Sequence, residues 1–263
     1  MTTLLGALAA VIAVGAAVRS TWSPCGLSML STLTPLGEAG RGRRWGPTAA
    51  WFVVGAVAGG LSLGVAMAGF ATVVATFHLS PIAAGAAGLV ACLVAAASDG
   101  RLGRFSLPVH HRQVNERWLD GYRAWVYGTG FGWQIGAGLV TYVTTAAVYL
   151  TIVLAGLSGD PAAALAVGAL FGTVRGLAVL LGRPLTSTGA LQAFHRRFAQ
   201  LEKPVAVTLV GLETLAGLVL AATLWTTAGA AAAAVGVTAI GSAAAVSRYR
   251  RPIRVPVSRP DPA

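Results

Sequence analysis

The chain has 263 residues, 56% hydrophobic and only 10% charged, with a mean hydropathy of +0.72. Soluble domains carry about 25% charged residues, so a water-soluble globule is excluded. The net charge of +11 does not indicate nucleic acid, because 17 of the 19 Lys and Arg fall in four clusters, 41–44, 101–123, 183–203 and 248–259, with apolar runs of spanning length between them; that is the positive-inside pattern of a polytopic helical membrane protein.

The first apolar run covers residues 3–36, 34 residues. As one straight helix it would be roughly 50 Å long, against a hydrocarbon core of about 30 Å, so it must tilt, break or re-enter. Pro24, inside Arg19-Ser20-Thr21-Trp22-Ser23-Pro24-Cys25-Gly26, removes a backbone donor and marks the breakpoint. No basic residue precedes the run. This favours an uncleaved first span whose N-terminus lies outside.

The second span is expected at 47–76, opening on Pro47, followed by the cation-free outer turn His78-Leu79-Ser80-Pro81 and a third span at 82–98. Residues 99–123 read as an Arg-rich cytoplasmic loop, partly helical along the membrane surface. The fourth run, 124–157, again has 34 residues. A turn at Ser158-Gly159-Asp160-Pro161 leads to a fifth span at 162–182 and a second basic loop, 183–203. A sixth span is expected at 204–226, an extra Ala-rich span at 227–247, and a basic disordered tail at 248–263. Seven spans, N-terminus out and C-terminus in, put every clustered cation on the cytoplasmic side of a bacterial inner membrane. The heavy Arg, Ala and Gly usage fits a GC-rich bacterial genome.

Both halves, 1–98 and 124–226, begin with an overlong run and continue with two ordinary spans. At an offset of 113, Val54-Gly55-Ala56, Gly59 and Gly69 match Val167-Gly168-Ala169, Gly172 and Gly182, and Trp22 aligns with Trp133 at 111. Three spans per unit make the repeat inverted: an all-α, 3+3 architecture with a broken first helix in each half and one extra C-terminal helix. Matching breaks in inverted repeats point to a site at the bilayer midplane. The second break is expected in the glycine run from Gly128 to Gly138.

The stretch Trp22-Ser23-Pro24-Cys25-Gly26-Leu27 resembles the cytochrome c biogenesis thiol-disulfide transporters of the CcdA/DsbD membrane-domain type. The resemblance implies electrons carried from inside to outside by a cysteine pair, one cysteine after a proline in the first span of each half. Gly132-Trp133-Gln134-Ile135-Gly136-Ala137-Gly138 is similar to that family's second motif, but Ile135 and Gly136 stand at its proline and cysteine. Cys25 is the candidate redox residue; its remaining possible partner in the chain is Cys92, which reads first as a small buried hydrophobe. The two are not expected to form a stable disulfide.

The other candidate residues are those of a substrate site between the breaks: Arg19, Trp22, Ser23 and Pro24 at the first, Trp133, Gln134 and Gly136 at the second, with Arg175 and Glu213 at matching depth inside the bundle. Two such charges are expected to pair, leaving Arg19 as a cation for an anionic solute or a thiolate. His78, His110, His111 and His195 read as solvated loop histidines. No metal, haem or other cofactor is expected.

Three functions follow from this reading: a small-solute transporter working through a midplane site, a thiol-redox protein acting through Cys25 on an extracytoplasmic thiol partner, or a structural membrane subunit. The lipid bilayer is the constant partner; nucleic acid is none.

Overall fold

A computed structural model describes residues 1–102, 121–140 and 143–224, and every regular element among them is helical. The expected span at 227–247, the tail, and most of the 99–123 loop with His110 and His111 lie outside the described residues. The helices are α1 (Thr2–Arg19), α2 (Pro24–Thr32), α3 (Pro35–Gly40), α4 (Trp45–Thr76), α5 (Pro81–Asp99), α6 (Ala124–Gly136), α7 (Ala147–Leu157), α8 (Pro161–Leu177) and α9 (Thr188–Leu224), with 3-10 turns at Ser20–Trp22 and Ala178–Gly182. Five of these, counting the turns that extend α1 and α8, are long and apolar enough to cross a membrane. The protein is a polytopic helical membrane protein.

Helix starts follow the capping chemistry of the sequence. Ser23, Ser80 and Asp160 each cap a helix whose first residue is proline, their side chains accepting backbone N–H groups of the first turn. Proline costs nothing there, because that N–H has no helical acceptor.

The core is organised around α4, which is held between α6 and α8. A Cβ added at Gly55 would overlap the carbonyl oxygen of Thr129, and one at Gly132 that of Phe52. On the other side, Gly60 and Gly64 meet Gly172 and Gly168 backbone to backbone. Lipid offers no hydrophobic drive between helices, so close approach through small residues supplies the contact energy. Of the glycines that match between the halves, Gly55 and Gly59 serve the α4–α6 contact, Gly168 and Gly172 the α4–α8 contact, and Gly69 meets nothing within 4 Å.

Loops collect at two ends. Leu36 N donates to Leu185 O (3.2 Å), Arg43 to Tyr122 O (3.1 Å) and Trp45 Nε1 to Leu33 O (2.9 Å), so the 33–45, 122–123 and 183–187 segments share one end. At the other, Gly159 lies by Ala75, and Gly85 lies against Met1 and Leu224. The end holding Met1 has no Lys or Arg in its turns at 77–80 and 158–160.

Three expectations about the spans are corrected. The basic segment 183–203 is a loop only to Ser187; from Thr188 it is helix, continuous through Pro204 to Leu224. Charge suggested a loop, but Ala190-Leu191-Gln192-Ala193 and Ala199-Gln200-Leu201-Glu202-Lys203 are strong helix formers. The second break begins only after Gly136, between α6 and α7, with Gly138 at φ +69°; Gly128, Gly132 and Gly136 before it serve helix contact, not helix breaking. The first break is not at the midplane. The 18 residues of α1 already reach about 27 Å, close to the whole hydrocarbon thickness.

Candidate functional site

At the first break the chain leaves α1 by one 3-10 turn and restarts at Pro24. Ser23 Oγ accepts the Gly26 N–H (3.2 Å). A Cβ on Gly26 would overlap the Thr21 carbonyl, so the turn closes only over glycine. Serine at the cap, proline at the first position and glycine at the third therefore form a helix-restart signal. Cys25 sits inside it, buried with Met29, Phe52 and Tyr127.

Arg175 reaches this turn from α8. Its side chain is 2% exposed, and Nη2 donates to the Ser20 carbonyl at 3.3 Å. Its guanidinium also lies 5.8 Å from the Phe171 ring centre and within electrostatic range of the Cys25 thiol. Phe171 in turn fills the space over Gly138, in the second break. A chain of contacts, Ser20 to Arg175 to Phe171 to Gly138, thus ties the two breaks together. A buried guanidinium needs acceptors to offset its lost hydration, and the carbonyl freed by the helix break is one.

Arg19 has a partner. Its Nη2 lies 3.3 Å from Glu202 Oε1, with Arg19 14% and Glu202 53% exposed. Trp22 donates from Nε1 to Phe198 O (2.8 Å) and stacks on the Phe198 ring with centroids 4.1 Å apart. Ser31 Oγ and His195 Nε2 are 3.3 Å apart, so His195 is not a solvated loop residue. The segment 188–203 is therefore a strap along α2, and its Phe194, His195, Phe198 and Glu202, at helical spacing, form the face turned to the first break. That spacing was readable in the sequence once helix was allowed there.

The other expected site residues go elsewhere. Trp133 is 39% exposed and donates to Ser62 Oγ (3.1 Å). Gln134 is half-buried beside it. Gly136 lies under α4, where an added Cβ would overlap the Ala56 carbonyl. Glu213, fully buried, has Cys92 of α5 as an electrostatic neighbour. Arg175 and Glu213 do both face the bundle interior, as expected, but they do not pair: Arg175 is held by Ser20, and Arg19 by Glu202. Cys25 and Cys92 form no disulfide and lie in separate packed clusters. Among the described residues no group of three His, Cys, Asp or Glu is placed to hold a metal.

Two polar clusters were not anticipated. Glu38, fully buried at the end of α3, accepts from Tyr127 Oη (2.5 Å), Arg41 Nη1 (2.8 Å) and Thr48 Oγ1 (2.7 Å). It fastens α3, α4 and α6 at the basic end. Asp99 accepts the Ala146 N–H (2.7 Å) and the Thr145 hydroxyl, capping α7 from the end of α5. Charges next to a turn look solvated in a sequence, and only folding shows that their partners lie 46 and 89 residues away.

No protein-family profile and no solved structure matches the chain. Curated relatives do. The methylamine utilization protein MauF of Methylophilus methylotrophus is 32% identical over 200 residues, 74% of this chain and 69% of its own length. MauF of Paracoccus denitrificans is 32% identical over 214 residues, 79% and 76% of the two chains. MauF of Paracoccus versutus is 35% identical over 172 residues, 61% and 59%.

These relatives overturn the resemblance to the CcdA/DsbD thiol-disulfide transporters, and with it the cytochrome c biogenesis and thiol-redox readings. They overturn the solute-transporter reading as well. The physical reasons are visible in the fold. The serine, proline and glycine of Ser-Pro-Cys-Gly are accounted for by helix restart, and the second motif's thiol position is occupied by Gly136 beneath the Ala56 carbonyl, where a cysteine side chain has no room. The cation assigned to a solute, Arg19, is answered by Glu202.

Proposed function

The chain belongs to the family of the methylamine utilization protein MauF, and on that premise we propose that it serves methylamine utilization as a membrane-embedded accessory component. The observation that carries this is the relationship at 32% identity across about three quarters of the chain. The residues around the two breaks act in this reading as a clasp. Ser20, Arg175, Phe171 and Gly138 set the breaks in one relation, and the strap bound by Trp22 and Glu202 covers the first of them.

The same reading places the protein in the bacterial cytoplasmic membrane with Met1 outside and the basic end inside. It is supported by the gathering of Arg41, Arg43, Arg44, Arg183 and the strap's cations at one end, opposite the cation-free turns at 77–80 and 158–160. The lipid bilayer is its immediate partner.

Deletion of the gene in a host that grows on methylamine tests the proposal. Growth with methylamine as sole nitrogen source should be lost, and growth on ammonium unchanged. A Cys25→Ala, Cys92→Ala double variant should restore growth as the wild type does. Undiminished growth of the deletion strain on methylamine would end the proposal, and failure of the thiol-free variant at normal membrane abundance would return a role to the thiols.

A further inference from the structure

We propose that the outer face of the 188–203 strap is a binding surface for anionic phospholipid headgroups of the inner leaflet. The strap is two-faced. Phe194, His195, Phe198 and Glu202 turn towards α2 and the first break through the contacts described above. At 100° per residue, Arg196, Arg197 and Lys203 fall on the opposite side, and all three are exposed. The aromatic rings that would anchor an amphipathic helix in lipid are thus turned inward onto Trp22, and the surface left outward is cationic.

Depth places those cations at the headgroups. Counting back along α9 from Leu224 at the outer end, Lys203 is 21 residues away, about 32 Å, and Arg196 is 28 residues away, about 42 Å. A hydrocarbon core of about 30 Å ends just before them. An independent marker agrees. Trp51 and Trp125, both exposed, lie with ring centres 6.4 Å apart. Trp51 is 25 residues, about 38 Å, from the outer end of α4 at Thr76. Exposed tryptophans gather at the membrane–water interface, so α4 and α9 report the same plane.

Arg19 lies on the other face of the strap and stays out of this surface. Its Nη2 holds Glu202, while its buried Nη1 makes no hydrogen bond. It sits on the strap's inner edge, next in the chain to Ser20, whose carbonyl holds Arg175. The ligand is defined by chemistry as an anionic phosphodiester headgroup carried on acyl chains. The headgroup meets the strap while the chains lie against the exposed apolar surface of the bundle.

The full-length protein reconstituted in bilayers of phosphatidylglycerol and phosphatidylcholine tests this, with tryptophan quenching by the brominated form of each lipid as the readout. Wild type should select phosphatidylglycerol over its bulk share. Each removed cation should reduce that selection by up to about fivefold, and Arg196→Ala, Arg197→Ala, Lys203→Ala together should bring it to the bulk ratio. Salt at 1 M should do the same, and the charge-conserving Arg196→Lys, Arg197→Lys variant should keep it. Circular dichroism in phosphatidylcholine alone shows whether each variant is folded. Equal selection by wild type and a folded triple variant, or none by wild type, overturns the proposal. Loss of selection on adding millimolar inorganic phosphate at constant ionic strength would assign the surface to free phosphate and overturn the lipid assignment.

Discussion

Gly136 shows how one atom decides what a position can do. Its Cα hydrogen faces the Ala56 carbonyl, and the same carbonyl receives Gly172 from α8 on its other flank. Any side chain there must push α6 from α4 or distort both. Overpacking of this kind costs about 1–3 kcal/mol, and more where backbone opposes backbone. Gly136→Cys should therefore lower the thermal midpoint in detergent and the yield of folded protein, whatever the redox conditions. Gly69→Ala, at a glycine whose added Cβ meets nothing within 4 Å, should leave both unchanged and serves as the control. An unimpaired Gly136→Cys protein would mean that the α4–α6 approach is looser than described. Arg175 makes the related point for charge: its worth lies in a carbonyl exposed by the helix break, an acceptor that no residue type announces.

At the scale of the element, the 37-residue α9 does two jobs. Its second part, from Ala206 to Ala221, buries Leu209, Val210, Glu213, Ala216 and Leu220 and packs on α5 and α1. Its first part is the strap, held on α2 by few contacts. Pro204 lies at the join, where it removes one hydrogen bond of the helix. The Trp22 hydrogen bond and its stacking on Phe198 together contribute about 1–3 kcal/mol. Trp22→Ala should release the strap without releasing the span. Amide exchange over 188–203 should then accelerate about tenfold or more, while 206–221 stays protected. If both parts accelerate together, α9 opens as one unit and the strap has no independent standing. If neither does, Trp22 is not what holds it.

For the molecule as a whole, the two ends carry opposite expectations for chemical access. In a Cys25→Ala, Cys92→Ala background, single cysteines at His78 and Asp160 should react with an impermeant maleimide in intact cells. Cysteines at Arg43 and Arg196 should react only after permeabilisation. The structure makes this a stringent pairing, because Arg43 and Tyr122 are joined at one end while Gly159 and Ala75 meet at the other. No tilt of the bundle exchanges them. Reaction at Arg43 in intact cells would invert the orientation and place the strap's cations on the outer leaflet.

Polytopic architecture was determined by the sequence alone, since hydropathy and cation placement are local sums that folding does not change. Span ends at 45–76, 81–99 and 161–182 were legible within one or two residues, because Ser80 and Asp160 cap two of the helices, Pro47, expected to open the other, lies in its first turn, and the apolar runs end where the helices do. The break at Pro24 was legible for the same reason: a proline acts on its own backbone. The strap, the second break and the site itself were decided by tertiary structure. Residues 188–203 look like a loop by charge although their residue types favour helix, and only Trp22, offering Phe198 a surface, fixes where that helix lies. The glycines from Gly128 to Gly136 look like a break until α4 approaches closely enough to make them a seam. Cys25 looks like half of a relay until Gly136, more than a hundred residues away, proves to have no space for the other half. Each depends on which backbone lies opposite, and a single chain read in order carries no record of that.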